Sequence, residues 1–471
     1  MKFKTFIGLE VHLQLNTRSK IFCSCPVRFG TSPNTQTCPV CLGLPGSLPV
    51  LNKEALKKAV KLCLALKCQI SKEIRFDRKN YFYPDLPKGY QISQYSQPIG
   101  TNGRLKGIGI RRVHLEEDAG KLIHTSEGSL VDYNRAGIPL LEIVSEPEIA
   151  TPQQAYEYLI CLKSICEYID ISDCNMEEGS LRCDANISVA KEGEGLGTKV
   201  ELKNMNSFHG VERALRYEQT RQEKVLRSGG EVVQETRLWD AQRQITLPMR
   251  SKEEANDYRY FPEPDLPIFF ISDQMIEQIK EEMPELPEKR RERFKREYAL
   301  PEYDADLLTR EKEMADYFER CVELFPQPKT VSNWIMRDIL SYLNAHKKEW
   351  KDLCLSPERF SELLRILERK EISINMGREV LTEMINTHKR AEEIIRERGL
   401  LQVSDEKKLA EVVERVIKAN PRSVEDFSRG KEKALMFLVG QVMRETKGRA
   451  NAQIVQKILR ERIKRKEEGL S

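Results

Sequence analysis

The sequence has no run of about 18 apolar residues, and we therefore expect that no segment of its 471 residues spans a membrane. Its first residues, MKFKTFIGLEVHLQL, lack the apolar core and the small-residue cleavage site of a secretory signal, and their alternation is typical of a strand. These two absences predict a cytoplasmic protein. A Gly-x-x-x-x-Gly-Lys-Ser/Thr loop is also missing. The nearest glycine-rich stretch, KEGEGLGTK, lacks this order of residues and joins two predicted strands like a hairpin. Any nucleotide would therefore bind on a sheet.

Net charge is scarce over most of the chain and concentrated at its end. The whole sequence carries 77 Lys and Arg against 73 Asp and Glu. Residues 441–471 alone hold nine Lys and Arg and four Glu, so the preceding residues are nearly neutral. A basic end is typical of a surface that contacts nucleic-acid phosphates, and it is equally typical of a solvated helix face.

The chain changes character near residue 290, which predicts an α+β protein of several domains. Before this point, short alternating segments separated by Gly, Pro and Asn predict mostly strands. After it, segments rich in Glu, Lys, Arg and Leu have helical spacing and contain no convincing strand. Residues 283–302, with three prolines and many charges, are the expected linker. We therefore predict domains over residues 1–290, 291–399 and 400–471.

The last of these domains is predicted to contain three helices. The first is indicated by apolar residues at i, i+3, i+4, i+7 and i+8, namely Leu409, Val412, Val413, Val416 and Ile417. It should end before Pro421, because the residue preceding a proline resists helical geometry. Residues 434–443 and 454–459 predict the other two helices.

The first predicted strand places a carboxylate beside an imidazole. Side chains alternate along a strand, so Glu10, His12 and Gln14 share one face and the apolar residues between them share the other. This pairing suits a divalent cation or a proton transfer. An exposed strand face would have the same pattern, so the pairing alone does not decide between them.

Three further segments repeat this pattern. Their polar faces carry His114, Glu116 and Asp118 in RRVHLEEDAGK, Arg182, Asp184, Asn186 and Ser188 in SLRCDANISV, and Lys199, Glu201 and Lys203 in TKVELKN. Asp and Asn are poor strand formers, and a ligand role would explain why Asp184 and Asn186 lie in mid-strand. Together the four faces predict a Mg²⁺ site with neighbouring basic groups for phosphates.

Two segments combine aromatic and basic residues with proline. RKNYFYPDLPKGYQISQ contains Arg78, Lys79 and Lys88 among four aromatics, and DYRYFPEPDLP at residues 257–267 has a similar composition. Such loops suit the recognition of a base or of an acceptor end. A packed loop that covers a sheet has the same composition, and both roles are compatible.

Four of the twelve cysteines crowd into residues 23–41. Cys23, Cys25, Cys38 and Cys41 form a C-x-C pair, an interval of twelve residues and a C-x-x-C pair. Paired thiols at this spacing match a structural Zn²⁺ site with four cysteine ligands. A redox C-x-x-C motif is the alternative, but it would need a strand-to-helix context that the sequence lacks. We predict a structural zinc that holds this loop.

The motifs together resemble the GatB family, the kinase half of the glutamyl/aspartyl-tRNA amidotransferases. They cover essentially the whole chain and comprise GLEVHLQLNTRSKIFC, CPVCLGLPGSLPVLN, RKNYFYPDLPKGYQISQ, HLEEDAGK, VDYNRAGIPLLEIVSEPE, GSLRCDAN, ELKNMNSF, QETRLWD, DYRYFPEPDLP and the C-terminal VEDFSRGKEKALMFLVGQVMRETKGRAN. Their length and number make the resemblance specific.

This resemblance implies an enzyme that converts Glu-tRNA(Gln), and often Asp-tRNA(Asn), to the amide form. The GatB member of the complex would use ATP and Mg²⁺ to phosphorylate the side-chain carboxylate of the misacylated amino acid. Ammonia released from glutamine by a partner amidase, the glutaminase of the complex, would displace the phosphate, and a small third member would hold the other two together. A strand-rich catalytic cradle, a helical domain and a helical tail that contacts tRNA are implied as well. The sequence lacks a Gly-Ser-Ser amidase signature, which agrees with ammonia from a partner.

The resemblance and the alternation pattern each nominate site residues. By resemblance, the Mg²⁺ ligands are Glu10, His12 and Glu116. Alternation adds as neighbours Asp184, Asn186 and Glu201. The basic groups that would face phosphates are Lys79, Arg182 and Lys203, and the two lysines would alternatively line the ammonia route. Some members of the family lack the four cysteines, so zinc would stabilise the fold and take no part in the reaction.

Two alternatives accompany this interpretation. The archaeal tRNA-dependent glutamine-forming enzyme has a related component, but that component is longer and carries an inserted domain for which this sequence has no room. A catalytically silent tRNA-binding scaffold with zinc is the alternative of another class, and it predicts that Glu10 is dispensable.

Overall fold

The computed structural model describes residues 2–249, 258–400, 406–446, 450 and 452–467. The chain forms two compact units, residues 1–290 and residues 291–471. The described part combines a strand-rich first unit with a helical second unit, so the predicted α+β class is confirmed. No helix in these ranges is both long and apolar enough to cross a membrane.

The strands all lie in the first unit, within the described ranges. They are β1 Phe3–Gln14, β2 Gln69–Ile70, β3 Glu73–Ile74, β4 Asp77–Asn80, β5 Tyr90–Ser93, β6 Gly100–Leu105, β7 Ile108–Glu117, β8 Lys121–Thr125, β9 Gly128–Asp132, β10 Pro139–Ser145, β11 Leu181–Lys191, β12 Val200–Lys203, β13 Glu235–Asp240, β14 Ile245–Pro248, β15 Phe261–Pro262 and β16 Phe269–Phe270.

The helices of the first unit begin at polar caps. They are α1 Lys53–Ala65, α2 Pro152–Tyr168, α3 Phe208–Arg227 and α4 Asp273–Glu281. The side chains of Asn52, Thr151, Ser207 and Ser272 each accept a hydrogen bond from a backbone N–H of the first turn. Such caps satisfy N–H groups that have no partner inside the helix and stabilise it by about 1 kcal/mol each.

One large sheet of the first unit brings distant segments side by side. Its strand order in the described residues is β14-β13-β12-β11-β1-β10-β7-β6-β2, with β1 near the centre and antiparallel to both neighbours. Smaller sheets are β15-β4-β5, β16-β3 and β8-β9. The glycine-rich stretch between β11 and β12 connects two antiparallel neighbours, which is the predicted hairpin.

The two faces of β1 have opposite environments. Ile7, Leu9 and Val11 are buried in a core that also contains residues of α1, α2 and α3. The alternate residues Glu10 and His12 are only partly buried on the other face. Truncating one of the core side chains to alanine would cost about 2–5 kcal/mol, because it leaves a cavity. The apolar face therefore fixes the register that orders the polar face.

Helices make up the second unit as described. They are α5 Pro287–Tyr298, which begins in the first unit, α6 Glu302–Leu308, α7 Lys312–Leu324, α8 Pro328–Trp334 with a following π-helical turn Ile335–Ile339, α9 Leu340–Ala345, a 3₁₀ turn Trp350–Asp352, α10 Pro357–Glu368, α11 Ile374–Thr387, α12 Ala391–Arg398, α13 Glu406–Ala419, α14 Pro421–Ser428, α15 Glu432–Glu445 and α16 Ala452–Glu467.

The predicted linker over residues 283–302 contains the boundary between the two units and also a helix. Helix α5 occupies much of this segment, and the division between the two units falls within it. Pro287 is its first residue, where a missing N–H costs nothing, and Phe294 is fully buried. Proline and charge density therefore marked a helix start and a solvated helix face.

The described part of the predicted tail contains four helices, one more than the three expected. Helix α13 ends at Ala419, before Pro421 as predicted, and Pro421 then begins α14. Buried apolar residues of the second unit form two clusters, one between Phe294 and Ile395 and one between Leu409 and Ile463. A domain boundary at residue 400 stays a prediction. Lys447, Arg449 and residues 468–471 of the predicted basic end, and Asp257 of the second aromatic segment, lie outside the described residues.

Candidate functional site

A row of four polar side chains crosses the large sheet at His12. The antiparallel register places His12 opposite Glu142 of β10 on one side and opposite Arg182 of β11 on the other. Glu142 in turn lies opposite His114 of β7. Directly opposed side chains on one face have Cβ atoms about 4.5–5.5 Å apart. Four strands from separate parts of the chain thus bring these groups together.

Glu10 and Glu116 complete what we call the acid–imidazole cluster, defined as Glu10, His12, His114, Glu116 and Glu142. The Nε2 atom of His12 lies 3.7 Å from Glu10 Oε1, 4.0 Å from Glu116 Oε1 and 3.5 Å from Glu142 Oε2. The Nε2 atom of His114 lies 3.7 Å from Glu116 Oε2 and 3.4 Å from Glu142 Oε2. The structure therefore brings the three nominated residues Glu10, His12 and Glu116 to one place.

Two triads of this cluster have converging ligand atoms. Glu10, His12 and Glu142 form one, and His114, Glu116 and Glu142 form the other; the ligand atoms within each triad lie within 4.8 Å of one another. Glu142 belongs to both and is 3% exposed, whereas Glu10 keeps about a third of its side-chain surface open. A cation could thus be reached from the Glu10 side.

The carboxylates of the cluster attract positive charge. Burial raises the pKa of Glu142 and Glu116, but other effects outweigh it and hold both pKa values below their ordinary range. For Glu142 these are the charges and hydrogen bonds of His114 and His12, and for Glu116 the charge of Lys79 and the hydrogen bond and charge of His114. Burial lowers the pKa of His114, yet Glu142 and Glu116 raise it to about 9. The same groups raise the pKa of His12 despite burial. An array of ionised carboxylates that draws protons onto its imidazoles has the charge that a divalent cation would balance.

Lys203 joins two of the acids nominated by alternation. Its Nζ atom lies 2.7 Å from Asp184 Oδ2 and 3.2 Å from Glu201 Oε1. Asp184 is paired in register with Glu10, so this group borders the acid–imidazole cluster. Asn186 lies one pleat further along β11, and its buried Oδ1 has no hydrogen-bond partner in the described part of the chain. The structure thus places Asp184, Glu201 and Lys203 beside the cluster.

Arg182 is engaged with a buried carboxylate. Its Nη2 donates to Asp118 Oδ1 at 2.8 Å, and Gln14 Nε2 donates to Asp118 Oδ2 at 2.6 Å. The Arg182 and Arg135 charges hold the pKa of Asp118 below its usual value although burial raises it. Arg182 therefore has an internal carboxylate partner, and its role towards a phosphate stays a prediction.

Lys79 approaches the cluster from the small sheet β15-β4-β5. Burial lowers the pKa of Lys79, but the charges of Glu116 and Glu142 and the nearby rings of Tyr258 and Tyr260 raise it above the ordinary value. Its Nζ lies 5.2 Å from the centroid of the Tyr258 ring. Strand β5 of the same sheet is tied to β7, because Ser93 Oγ donates to Glu116 Oε2 at 3.0 Å. Lys79 thus remains charged while facing the acids.

The four cysteines of residues 23–41 converge. Their sulfur atoms all lie within 4.8 Å of one another, and those of Cys38 and Cys41 are 3.9 Å apart. Zn–S bonds of about 2.3 Å in a tetrahedron place sulfurs about 3.8 Å apart, so these thiols fit a zinc ion. A hydrogen bond from the Cys23 thiol, opposed by burial and helped by the Lys20 charge, lowers the pKa of Cys41 to about 4. The twelve cysteines all lie in the described residues, and no disulfide bond joins any two of them there.

Sequence reasoning missed Glu142 and did not nominate His114. Glu142 is a single carboxylate in the apolar stretch PLLEIVS, and its alternation with Leu141 and Ile143 was the available signal. His114 lies on the polar face already noticed in HLEED, yet it is 2% exposed. Both faces of β7 and β10 are buried, so neither strand resembles a solvated face in the folded chain.

Exposed basic residues line the last described helix. Lys457 and Lys464 of α16 are exposed, whereas Arg460 pairs with Glu432 at 2.9 Å and Arg462 with Glu414 at 2.8 Å. Side chains of residues 465–467 are outside the described part. The basic character of this end is thus partly neutralised within the unit.

Known protein families match both units. A family model described as the GatB/GatE catalytic domain matches residues 5–277, and one described as the GatB domain matches residues 316–463. The first match contains every nominated site residue and the four cysteines.

Curated relatives match over nearly the full length. The chain is 54% identical over 473 residues to a protein from Caldanaerobacter subterraneus subsp. tengcongensis, covering 98% of this chain and 100% of the relative. It is 52% identical over 476 residues to one from Carboxydothermus hydrogenoformans, covering 98% and 99%. It is 53% identical over 471 residues to one from Brevibacillus brevis, covering 98% of each. Each of the three is named as one subunit of an aspartyl/glutamyl-tRNA(Asn/Gln) amidotransferase.

Proposed function

The chain belongs to the GatB/GatE family, and from that premise we propose that its first unit is the carboxylate-activating half of a tRNA-dependent amidotransferase. Its relatives are named for amide transfer on aspartyl- or glutamyl-tRNA. The proposed substrates are accordingly ATP and a tRNA that carries glutamate or aspartate where the amide is required. The reaction class is a ligase that forms a C–N bond.

The acid–imidazole cluster is the observation that carries this proposal. Glu10, Glu116 and Glu142 lie on three neighbouring strands, and Glu142 shares one group of converging ligand atoms with Glu10 and another with Glu116. Mg²⁺ is usually held by one or two protein carboxylates and completes its shell with water and substrate phosphate oxygens. The donor set fits, with Glu10, Glu116 and Glu142 as the carboxylate ligands and His12 as a neighbouring nitrogen. When bound, Mg²⁺ neutralises phosphate charge and orients the oxygens of ATP.

The remaining charged groups would position the two substrates. Lys79 keeps its charge beside Glu116 and is suited to a phosphate oxygen. Lys203 already pairs with Asp184 and Glu201. Its role would be either to hold these two acids in place or to leave them and bind a phosphate. Activation by phosphoryl transfer depends chiefly on such positioning and charge stabilisation.

The proposed chemistry has two balanced steps. A carboxylate oxygen of the tRNA-bound glutamate or aspartate attacks the γ-phosphorus of ATP, the bond to the β-phosphate oxygen breaks, and ADP leaves. Ammonia then attacks the carbonyl carbon of the acyl phosphate, the bond from this carbon to the phosphate oxygen breaks, and inorganic phosphate leaves with the proton that the nitrogen loses as the amide forms. A glutaminase partner would supply the ammonia, and a small third protein would join both, in keeping with relatives that are each named as one part of a larger enzyme.

Two further parts of the proposal are structural. Zn²⁺ bound by Cys23, Cys25, Cys38 and Cys41 would fasten the long loop between β1 and α1, because the four thiols leave no open ligand position. The end of the second unit would contact the tRNA body through exposed lysines, since phosphate contacts dominate nucleic-acid affinity.

Ammonium replaces the glutaminase in the experiment that tests this function. The purified complex with its partner proteins receives ATP, Mg²⁺, Glu-tRNA(Gln) and ammonium chloride, and Gln-tRNA is measured. The substitutions Glu10→Ala and His12→Ala should each reduce product formation to about 1% or less. The matched control is Glu157→Ala, which removes an exposed carboxylate of α2.

The silent-scaffold alternative makes the opposite prediction. It requires that Glu10→Ala and His12→Ala retain full ammonium-dependent activity, and that result would contradict the proposed site. Full loss in these variants together with normal activity of Glu157→Ala supports it.

A further inference from the structure

Four tyrosines from three segments form a continuous strip in the first unit, which we call the tyrosine strip (Tyr81, Tyr258, Tyr260 and Tyr95). Ring centroids are 5.8 Å apart for Tyr81 and Tyr258, 6.0 Å for Tyr258 and Tyr260, and 4.2 Å for Tyr260 and Tyr95. The last two rings are stacked with an angle of 13° between their planes. Tyr95 is 54% exposed, so the strip ends in a ring open to solvent.

Strand β4 holds both ends of this strip in place. The buried carboxylate of Asp77 accepts hydrogen bonds from the backbone N–H of Tyr95 at 2.9 Å and of Ser96 at 3.1 Å. The Asn80 side chain donates to the Arg259 carbonyl at 2.9 Å, and the Asn80 N–H donates to the Tyr258 carbonyl at 3.0 Å. Both ends of one short strand thus fix the backbone beside the stacked rings.

The backbone between two of the tyrosines is strained. Arg259 has a φ of +44°, a conformation that a long L side chain rarely adopts. Such a conformation persists only where surrounding contacts impose it, and it is most frequent at functional sites. Here the carbonyl contacts with Asn80 impose it. Specific hydrogen bonds from Asn80 therefore hold the tyrosine strip in one arrangement.

The strip adjoins the acid–imidazole cluster. Ser93, two residues before Tyr95, donates to Glu116 at 3.0 Å, and two residues of chain span at most about 7 Å. Lys79 lies over the Tyr258 ring, and the charges of Glu116, Glu142 and Arg112 all act on Tyr260. The cations beside this aromatic surface are Lys79 and Arg112. The surface thus offers what a nucleotide needs, namely a stacking partner for the base and positive charge for the phosphate.

We propose that the tyrosine strip binds the unpaired 3′-terminal nucleotide of the aminoacylated tRNA, with its base on the open face of Tyr95. This rests on the proposed function, since it assumes that aminoacyl-tRNA is a substrate. Sequence-specific RNA recognition mostly targets unpaired loops, bulges and ends, whose bases can stack on aromatic side chains. Adenine of ATP offers the same stacking chemistry, and the experiment separates the two sources. Because Ser93, two residues before Tyr95, contacts Glu116, a terminal base on Tyr95 would lie near the acid–imidazole cluster.

The test uses Tyr95→Ala and Tyr95→Phe in the complete complex with ammonium as nitrogen donor. Tyr95 is half exposed, so its truncation leaves no buried cavity. We expect Tyr95→Ala to raise KM for Glu-tRNA(Gln) about 5- to 150-fold, as stacking energies of about 1–3 kcal/mol per base imply, with kcat and KM for ATP little changed. Tyr95→Phe keeps the ring and should restore the wild-type KM. The matched control is Tyr303→Ala, an exposed tyrosine of the second unit.

Inhibition by uncharged tRNA provides a second measurement. Wild-type complex should be inhibited more strongly by full-length tRNA(Gln) than by tRNA lacking its last nucleotide, and Tyr95→Ala should abolish this difference. A rise in KM for ATP alone would assign the strip to the base of ATP and overturn the tRNA assignment. Unchanged KM values for both substrates would overturn the nucleotide site itself. If wild-type complex forms no Gln-tRNA, the proposed function fails instead, so the two failures are distinguishable.

Discussion

The Oε2 atom of Glu142 lies 3.5 Å from the Nε2 atom of His12. The strand register makes these residues direct neighbours on the antiparallel strands β1 and β10, although they lie far apart in the sequence. Because Glu142 also contacts His114 at 3.4 Å, one carboxylate connects both triads of the cluster. This places Glu142 at the centre of the proposed cation site.

Neutralising Glu142 should therefore impair the reaction as strongly as changing Glu10. Glu142→Gln preserves shape and removes one charge, and we expect kcat with ammonium to fall by about 100-fold and the Mg²⁺ concentration for half-maximal rate to rise about 10-fold. Steady-state assays over a Mg²⁺ series measure both. The control is Glu146→Gln. Glu146 lies four residues after Glu142, and its carboxylate pairs with Arg111. Activity of Glu142→Gln within about twofold of wild type would contradict the central placement.

Removing the cysteine ligands should release zinc and destabilise the first unit. We expect about one Zn²⁺ per chain in protein purified without chelator, and much less than that in Cys25→Ser and Cys41→Ser. Zinc binds only the folded state, so its loss lowers the free energy of unfolding, and the unfolding temperature should fall by at least about 5 °C. Elemental analysis and calorimetry are the measurements.

The control for this zinc prediction is Cys354→Ser, because Cys354 is exposed and lies in the second unit. It should retain both the metal and the unfolding temperature. Substoichiometric zinc in wild-type protein would remove the metal from the proposal while leaving the acid–imidazole cluster untouched.

Lys20 should tune the affinity of the same site. Its side chain is fully buried, and its Nζ lies 3.7 Å from Cys41 Sγ and 3.2 Å from the carbonyl of Tyr133. Four thiolates around Zn²⁺ carry a net charge of about −2, so a buried ammonium would offset part of it. Lys20→Met should weaken zinc binding about 10- to 100-fold in chelator competition. Lys53→Met, at the exposed first residue of α1, should have no effect, and equal affinities in both variants would refute the role of Lys20.

The end of the second unit should contribute to tRNA affinity through exposed charge. Reversing Lys457 and Lys464 of α16 to glutamate should raise KM for Glu-tRNA(Gln) and reduce the salt dependence of binding by about one unit of slope per lost phosphate contact. KM for ATP should stay constant. Lys329→Glu makes a like charge change on α8 and serves as control. A KM for tRNA that does not respond to the paired reversal would leave this end as a solvated helix face.

The sequence by itself determined the local structure of the site. Strict alternation in β1 and β11 predicted which of their side chains share a face, because side chains of a strand point in alternate directions whatever the tertiary fold. The spacing of Cys23, Cys25, Cys38 and Cys41 predicted a common centre for the same kind of reason, since short knuckles bring thiols together locally. The change from strands to helices near residue 290 followed from the period of the apolar residues.

Only the tertiary structure decided which strands are neighbours. Glu142 is one carboxylate in an apolar segment, and its role depends on β10 lying between β1 and β7, which no local period encodes. The pairing of Arg182 with Asp118 likewise requires the register of separate strands, and it gives a nominated phosphate ligand an internal carboxylate partner. Helix α5 shows the same limit, because prolines and charges predict a linker until the burial of Phe294 is known. Periodicity fixes the direction of a side chain relative to its own strand, whereas long-range packing of the apolar faces fixes what that side chain meets.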